Sequence, residues 1–565
     1  MKGLKKIVGL VVALLVVCII ASCSNANKVK TELNVASRNN KLTLVATFTD
    51  ENEEIFSDYT PYAYLYEMDE DVVGDMIESL SFSLDDDLSS GNTYVTDELV
   101  FDDLSEQTNY TIRITATIDG RSYTLLDNVY STSNLGSEED PIKINTKDEF
   151  LAISDDREAY YTLESDIDFA GEEISPLFTS STRSFEGGFD GNGHTISNFT
   201  IESNNQYNGL FGVNNGEIKN LTVSGASISS ERTSESNTGL LVGYNTGVID
   251  NVTLNNCTVT SKSTAYTLTY DQNVGGLVGL CGTSSDKTGI TNCTLNDVTV
   301  TAEVRHQANV GGVVGEVTLA RSVRNTQTLE NDYADVTINV TQEIRASIAD
   351  DVDINVGGFA GFSAATFTNC FVDGAITVNT TKAESATYEN GLTHYNLTVG
   401  GFAGNTYNNV ARNIENIGFA GSIDVDATPV YETYIGGLIG VLGNNFTIKN
   451  AVSNLTSLTI KGPQEVVEEE EVDGDTTEGE ESSSDETSGE TSSDKTTPEY
   501  TLTYSTLVAS ISCEQTLKDN NIINYNNNLD PNVSGFESYL HQAADNKSTN
   551  LETISDFIKN YLLKK

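Results

Sequence analysis

Positive charge is scarce in this chain. Its 565 residues include 31 lysines and arginines against 83 aspartates and glutamates, a formal net charge of −52. A phosphate backbone needs a basic footprint, so no nucleic acid is expected as a partner. The same charge disfavours lying directly on anionic lipid and favours solubility. Histidine is also rare, with only His194, His306, His394 and His541. None stands in H-E-x-x-H, so the residues of a zinc peptidase are missing. C-x-x-C, a phosphate-binding loop and G-x-S-x-G are likewise absent. The sequence therefore assigns no catalytic residue, no metal ligand and no cofactor.

What the chain does have is one short phrase that returns seven times. It reads N-G-L-F-G at 208–212, G-L-L-V-G at 239–243 and V-G-G-L-V-G at 274–279. It continues as V-G-G-V-V-G at 310–315, V-G-G-F-A-G at 356–361 and 399–404, and I-G-G-L-I-G at 435–440. The closing glycines are Gly212, Gly243, Gly279, Gly315, Gly361, Gly404 and Gly440, spaced by 31, 36, 36, 46, 43 and 36 residues. Such a period is the mark of stacked repeats, because one unit cannot bury its own apolar face. A second phrase follows each glycine phrase in most units, an apolar residue two places before an asparagine: Asn220, Asn251, Asn292, Asn369 and Asn450. Runs such as V-T-V-T at 298–301 and V-T-I-N-V at 336–340 alternate as half-buried strands do. Each unit then offers about three short strands separated by Gly and Asn corners, one coil of a parallel β-helix. Glycine allows a positive φ at such a corner and Asn tolerates it next best. Asparagines in one phase stack into a ladder whose amides bond along the coils.

These residues resemble a known family. F-E-G-G-F-D-G-N-G-H-T-I-S-N-F-T-I at 185–201, then N-G-L-F-G, then G-E-I-K-N-L-T-V at 216–223, is similar to the GLUG-motif repeats of bacterial surface proteins. The resemblance spans roughly 140–462 and implies a right-handed β-helix in an extracellular setting. Some relatives carry a metallopeptidase, but the repeats themselves are usually stalk or binding part.

The two ends differ from the repeats. Lys2, Lys5 and Lys6 precede an apolar run from Ile7 to Ile20, and Ile20-Ala21-Ser22-Cys23 matches a lipobox. Residues 1–22 read as a lipoprotein signal, Cys23 as the lipidated residue and 23–30 as a tether. Residues 31–133 hold runs that read as several short strands of a sandwich: 42–48, 62–66, 80–84, 93–101, 110–118 and 123–130. Leu104, Thr108 and Tyr110 ahead of Ile112, Ile114 and Ala116 resemble the tyrosine corner of Ig-like and fibronectin type III domains. The chain has no Trp, so the usual core Trp of those domains is missing. Thr146 to Glu149 forms a capping box for a short helix at the start of the repeats. The run 463–499 carries 15 acidic residues and one lysine, and reads as a disordered insertion. Residues 500–565 read as a last degraded coil and a helical cap with Leu551, Ile554, Phe557, Ile558, Tyr561 and Leu562 on one face.

Candidate chemistry is thin. Asp350, Asp351 and Asp353 form an acidic turn, Asp190 and His194 sit in a Gly-rich corner, and the pairs Thr258/Thr260 and Thr299/Thr301 suggest a flat threonine face that breaks at Asn339 and Asn379. Setting aside Cys18 in the signal and Cys23, the cysteines are Cys257, Cys281, Cys293, Cys370 and Cys513, an odd number. Cys293 and Cys370 share a phase with one unit between them. Two tiers of about 4.8 Å put them about 10 Å apart, too far for a disulfide.

The expectation is an all-β chain: an N-terminal β-sandwich, a right-handed parallel β-helix over 140–462 and a short C-terminal helix. It is expected on the outer face of a cell membrane (the outer membrane in a diderm host), held by its lipid. A glycan or a host or surface protein is the expected ligand, and no catalysis is expected. A carbohydrate-active enzyme on the same fold and a passive spacer are the competing readings.

Overall fold

The computed structural model describes most of residues 29–461 and, beyond them, five short strands between Thr501 and Gln542. Cys23 with its lipobox, the acidic run 463–499 and the C-terminal helical segment lie outside the described residues, as does the side chain of Asn450. The chain is all-β, with parallel sheets through the repeats and a single short α-helix among the described residues.

The first part consists of two antiparallel four-stranded sheets over one core. Val29–Arg38 pairs with Lys41–Asp50, which also carries Thr93–Val95 and Leu99–Phe101. The other sheet runs in the order Val72–Ser81, Tyr62–Asp69, Asn109–Ile118 and Arg121–Ser131. Leu42, Leu44, Phe48, Leu65, Phe101, Ile112 and Ile114 are fully buried between them. The run read as a strand over 80–84 is the end of Val72–Ser81, and Phe82 then drops into the core edge-on to Phe48 at 5.9 Å. The run 93–101 is broken in two where Thr96 exchanges hydrogen bonds with Ala46.

The Ser105 backbone N–H donates to Tyr110 Oη at 2.8 Å. Tyr110→Phe leaves that N–H without its acceptor. Its expected cost is about 1–2 kcal/mol in denaturant unfolding of the first domain. An unchanged midpoint would show that the bond is idle.

A capping box starts the second part. Thr146 Oγ1 accepts from the Glu149 N–H and Glu149 accepts from the Thr146 N–H, opening the helix Lys147–Leu151. Phe150 is thereby turned onto Phe169 and Phe189, edge-on at 6.1 and 5.8 Å. The helix seals the apolar end of the first repeat, which would otherwise be wet. Arg157 ties the two parts together, with Glu98 of the first part at 2.8 Å and Glu186 of the second at 2.5 Å.

From there each repeat pairs in parallel with the next in three sheets. The first holds the strands that lead into the glycine phrase, among them Gln272–Gly275, Ala308–Gly311 and Val352–Gly357. The second holds those that follow, among them Val278–Cys281, Val314–Val317 and Ala360–Ser363. The third and largest lengthens along the stack to Thr294–Val304, Tyr333–Ile344, Thr366–Lys382, Arg412–Asp426 and Phe446–Lys461. In-register parallel strands lie about 4.8 Å apart, so each repeat is one tier of that height. Inward residues from all three sheets form one continuous apolar cluster from Ile144 to Ile460.

Candidate binding face and the seam between sheets

Alternation along the strands of the largest sheet buries Val259, Val300, Ile338 and Ile376 and turns their neighbours outward. Two ranks of outward residues result. One runs Ser227, Thr258, Thr299, Thr337, Ala375; the other runs Ser229, Thr260, Thr301, Asn339, Thr377. The register corrects the expected break. Asn339 is a single interruption, since Thr377 resumes the rank, and Asn379 belongs to a different row beside Thr341. On the same face, Tyr333 and Phe371 stack with centroids 6.5 Å apart and planes 5° from parallel. Phe371 leans over Gly418 in the next tier, where a Cβ would stand 2.2 Å from the ring. Two residues along lie Asp335 and Asp373, direct partners in the sheet. A bulge after Leu295 brings in Asp297 at φ +55. Partial burial and the neighbouring Asp373 and Asp297 charges push the Asp335 carboxyl up.

The asparagines stand at left-handed kinks along this sheet, within its strands or between two of them. Asn220, Asn251, Asn292 and Asn369 all have φ between 53° and 57°. Asn331 and Asn416 complete the row at 60° and 56°. They follow Leu329-Glu330 and Ile414-Glu415 and so carried the same apolar-x-Asn signal. Asn416 donates to Asn369, Asn369 to Asn331, and Asn331 to Asn292, at 2.8, 2.8 and 3.3 Å. Asn292 then donates to Asp250 Oδ1 at 2.7 Å. Asn251 starts a second run through Asn220 to Asp190. Both runs point their amide donors toward the first repeats and end on a carboxylate.

The closing glycines do a different job from the corner residues. None of the seven is among the glycines at positive φ. They are where the first and second sheets touch backbone to backbone. A Cβ on Gly243, Gly279, Gly315 or Gly361 would lie 2.4–2.5 Å from a backbone nitrogen of the facing sheet. On Gly212, Gly404 and Gly440 the nearest atoms would be 2.6–2.8 Å away. At these seven positions close approach, not positive φ, is what demands Gly.

Beside these contacts runs a seam that the glycine phrase hid. Asn237, Asn273, Asn309 and Asn355 stand in register in the first sheet, each at most 6% exposed. Each donates to the one before at 2.9 Å, and Asn237 donates to Glu235 at 3.3 Å. Asn309 also donates to Glu316 Oε2 at 3.2 Å, across to the second sheet. Burial, and then the charge of Asp271, push the Glu316 carboxyl up to about 7. Tyr207 and Tyr244 close the seam further along, stacked at 5.4 Å.

The remaining polar groups are structural. Ser263 Oγ lies 2.7 Å from His306 Nε2, but the two are 4% and 1% exposed, so no substrate reaches the pair. Burial holds the His306 imidazole below its ordinary value, hence neutral. His194 contacts Asp166, while Asp190 anchors the turn through Asn192 and Asn220. Asp353 accepts from Asn396, whereas Asp350 and Asp351 lie outside the described residues. Cys257, Cys281, Cys293 and Cys370 are buried free thiols, and Asp332 occupies the tier between the last two. Among the described residues no group of acidic, His or Cys side chains is arranged to hold a metal ion.

Comparison with protein-family models and with curated proteins finds no match. The functional reading therefore rests on the residues themselves.

Proposed function

We propose that this chain is a lipid-anchored bacterial surface protein of the GLUG-repeat kind, and that it binds rather than catalyses. The repeats wind as a right-handed β-helix, the hand that parallel connections adopt almost without exception. An Ig-like or fibronectin type III-like domain stands between this stack and the membrane, and Cys23 carries the acyl chains. The observation that carries the binding reading is where the polar groups stand. Among the described residues, hydroxyls, corner amides and carboxylates are strung along the tiers in ranks, and these ranks are not gathered in a pocket. A repeating surface suits an extended or repeating ligand and offers no enclosed site from which to exclude water.

The test is acylation. Cells given a fatty-acid probe should label the wild-type chain, and Cys23→Ala should lose both the label and the membrane fraction. A mutant that keeps both sinks the anchor. Incubation of the purified protein with acidic and neutral polysaccharides should release no new reducing ends.

A further inference from the structure

We propose that the face built on Tyr333, Phe371, Asp335 and Asp373 binds an extended polysaccharide of amino sugars, one cationic ring per tier. The inference rests on the surface-binding reading above and names its ligand class.

Three observations choose this occupant. First, Tyr333 and Phe371, both half-buried, set two parallel rings on the outward side of the sheet, with Phe371 against Gly418. Ring faces take the apolar side of a pyranose and attract a nearby ammonium. Second, Asp297, Asp335 and Asp373 set carboxylates on three successive tiers beside the rings, in a chain of net charge −52. That row repels uronate polymers and complements amino groups. Third, the outward ranks repeat once per tier, about 4.8 Å apart, with Thr337 and Thr377 as the hydroxyls on the Tyr333 and Phe371 tiers. A pyranose chain advances by nearly this length per ring. An extended peptide brings its same-side cations only every ~6.6 Å and falls out of step with the tiers. The bulge at Asp297 matters because it turns an extra carboxylate onto the face at the tier before Asp335.

Calorimetry on the full-length protein in detergent would use four probes: a glucosamine hexamer, its fully N-acetylated form, oligogalacturonate and oligolysine of equal charge. The glucosamine hexamer should bind at least about tenfold more tightly than the other three. Phe371→Ala should weaken it about tenfold or more. Asp335→Asn with Asp373→Asn should weaken it and flatten its salt dependence. As a fold check, each variant should keep the wild-type thermal transition. Gly418→Ser, whose side chain displaces the Phe371 ring, supplies an independent variant. No binding of the hexamer overturns the proposal. So does equal binding by Phe371→Ala, by the double Asn variant or by oligolysine, since each marks diffuse charge attraction. Equal binding of the acetylated hexamer overturns the amino-sugar assignment. Any of these with Cys23-dependent acylation intact leaves the anchored-surface reading standing, whereas loss of acylation overturns that reading whatever the hexamer does.

Discussion

Replacing Glu316 with Gln is expected to make the protein more stable at pH 8 than the wild type and to leave it nearly unchanged at pH 4. Glu316 sits in the seam, where burial and Asp271 raise its carboxyl from the ordinary 4.5 to about 7. The folded state therefore holds a proton there that the unfolded chain releases. Stability from this group is complete below about 4.5 and is lost as pH rises through about 7. Gln keeps an oxygen for the Asn309 amide and cannot ionise. Allowing for the partial exposure of the side chain, the gain at pH 8 should be about 1–2 kcal/mol. Denaturant unfolding of wild type and variant at several pH values measures it as the difference between two slopes. Identical pH dependence of the two proteins would mean that Glu316 ionises as freely in the seam as in the unfolded chain. Asp271, itself raised by burial and by Glu235, remains in both proteins and cancels in the comparison.

How far the sequence reached can be judged residue by residue. Asn220, Asn251, Asn292 and Asn369 were legible because two local signals coincided: a fixed phase after an apolar residue, and a residue type that tolerates positive φ. Asn331 and Asn416 carried the same apolar-x-Asn signal and were equally open to it. The glycine phrase was equally plain, but its cause was not. A glycine kept for positive φ and one kept for close approach look alike in a string, and only the facing backbone tells them apart. The seam was illegible for another reason. Asn273 and Asn309 precede Val-Gly-Gly in strands that read as ordinary alternation. Glu316, in V-G-E-V, looked like one more solvent-facing residue. Its environment comes from Asn273 and Asp271, more than forty residues away, and sequence periodicity does not carry contacts between tiers. The hydroxyl ranks show the same limit. Thr377 belongs with Thr301 only once the register has been counted through Asn339.

Gly358→Ala is expected to damage the fold more than Gly193→Ala, although the first residue has no unusual backbone and the second sits at φ +79. Nothing lies within 4 Å of a Cβ on Gly193, so alanine there pays only for its left-handed conformation, roughly 1–2 kcal/mol. At Gly358 a Cβ would stand 2.0 Å from the Gly401 carbonyl oxygen and 3.0 Å from Val372 Cγ1. Neither side can yield easily. Gly358 donates to Gly401 at 3.1 Å, Gly312 donates to Gly358 at 3.1 Å, and Gly276 donates to Gly312 at 3.0 Å. The four glycines form one column of backbone hydrogen bonds at the corner between the first two sheets, and a methyl group forces that column apart. The expected loss is more than about 3 kcal/mol, beyond what better strand propensity returns. Thermal unfolding followed by circular dichroism, with hydrogen exchange over 310–440 to locate the opening, measures both variants. If Gly193→Ala proves the more damaging, the repeats are held by their corner conformations and not by the contact between sheets.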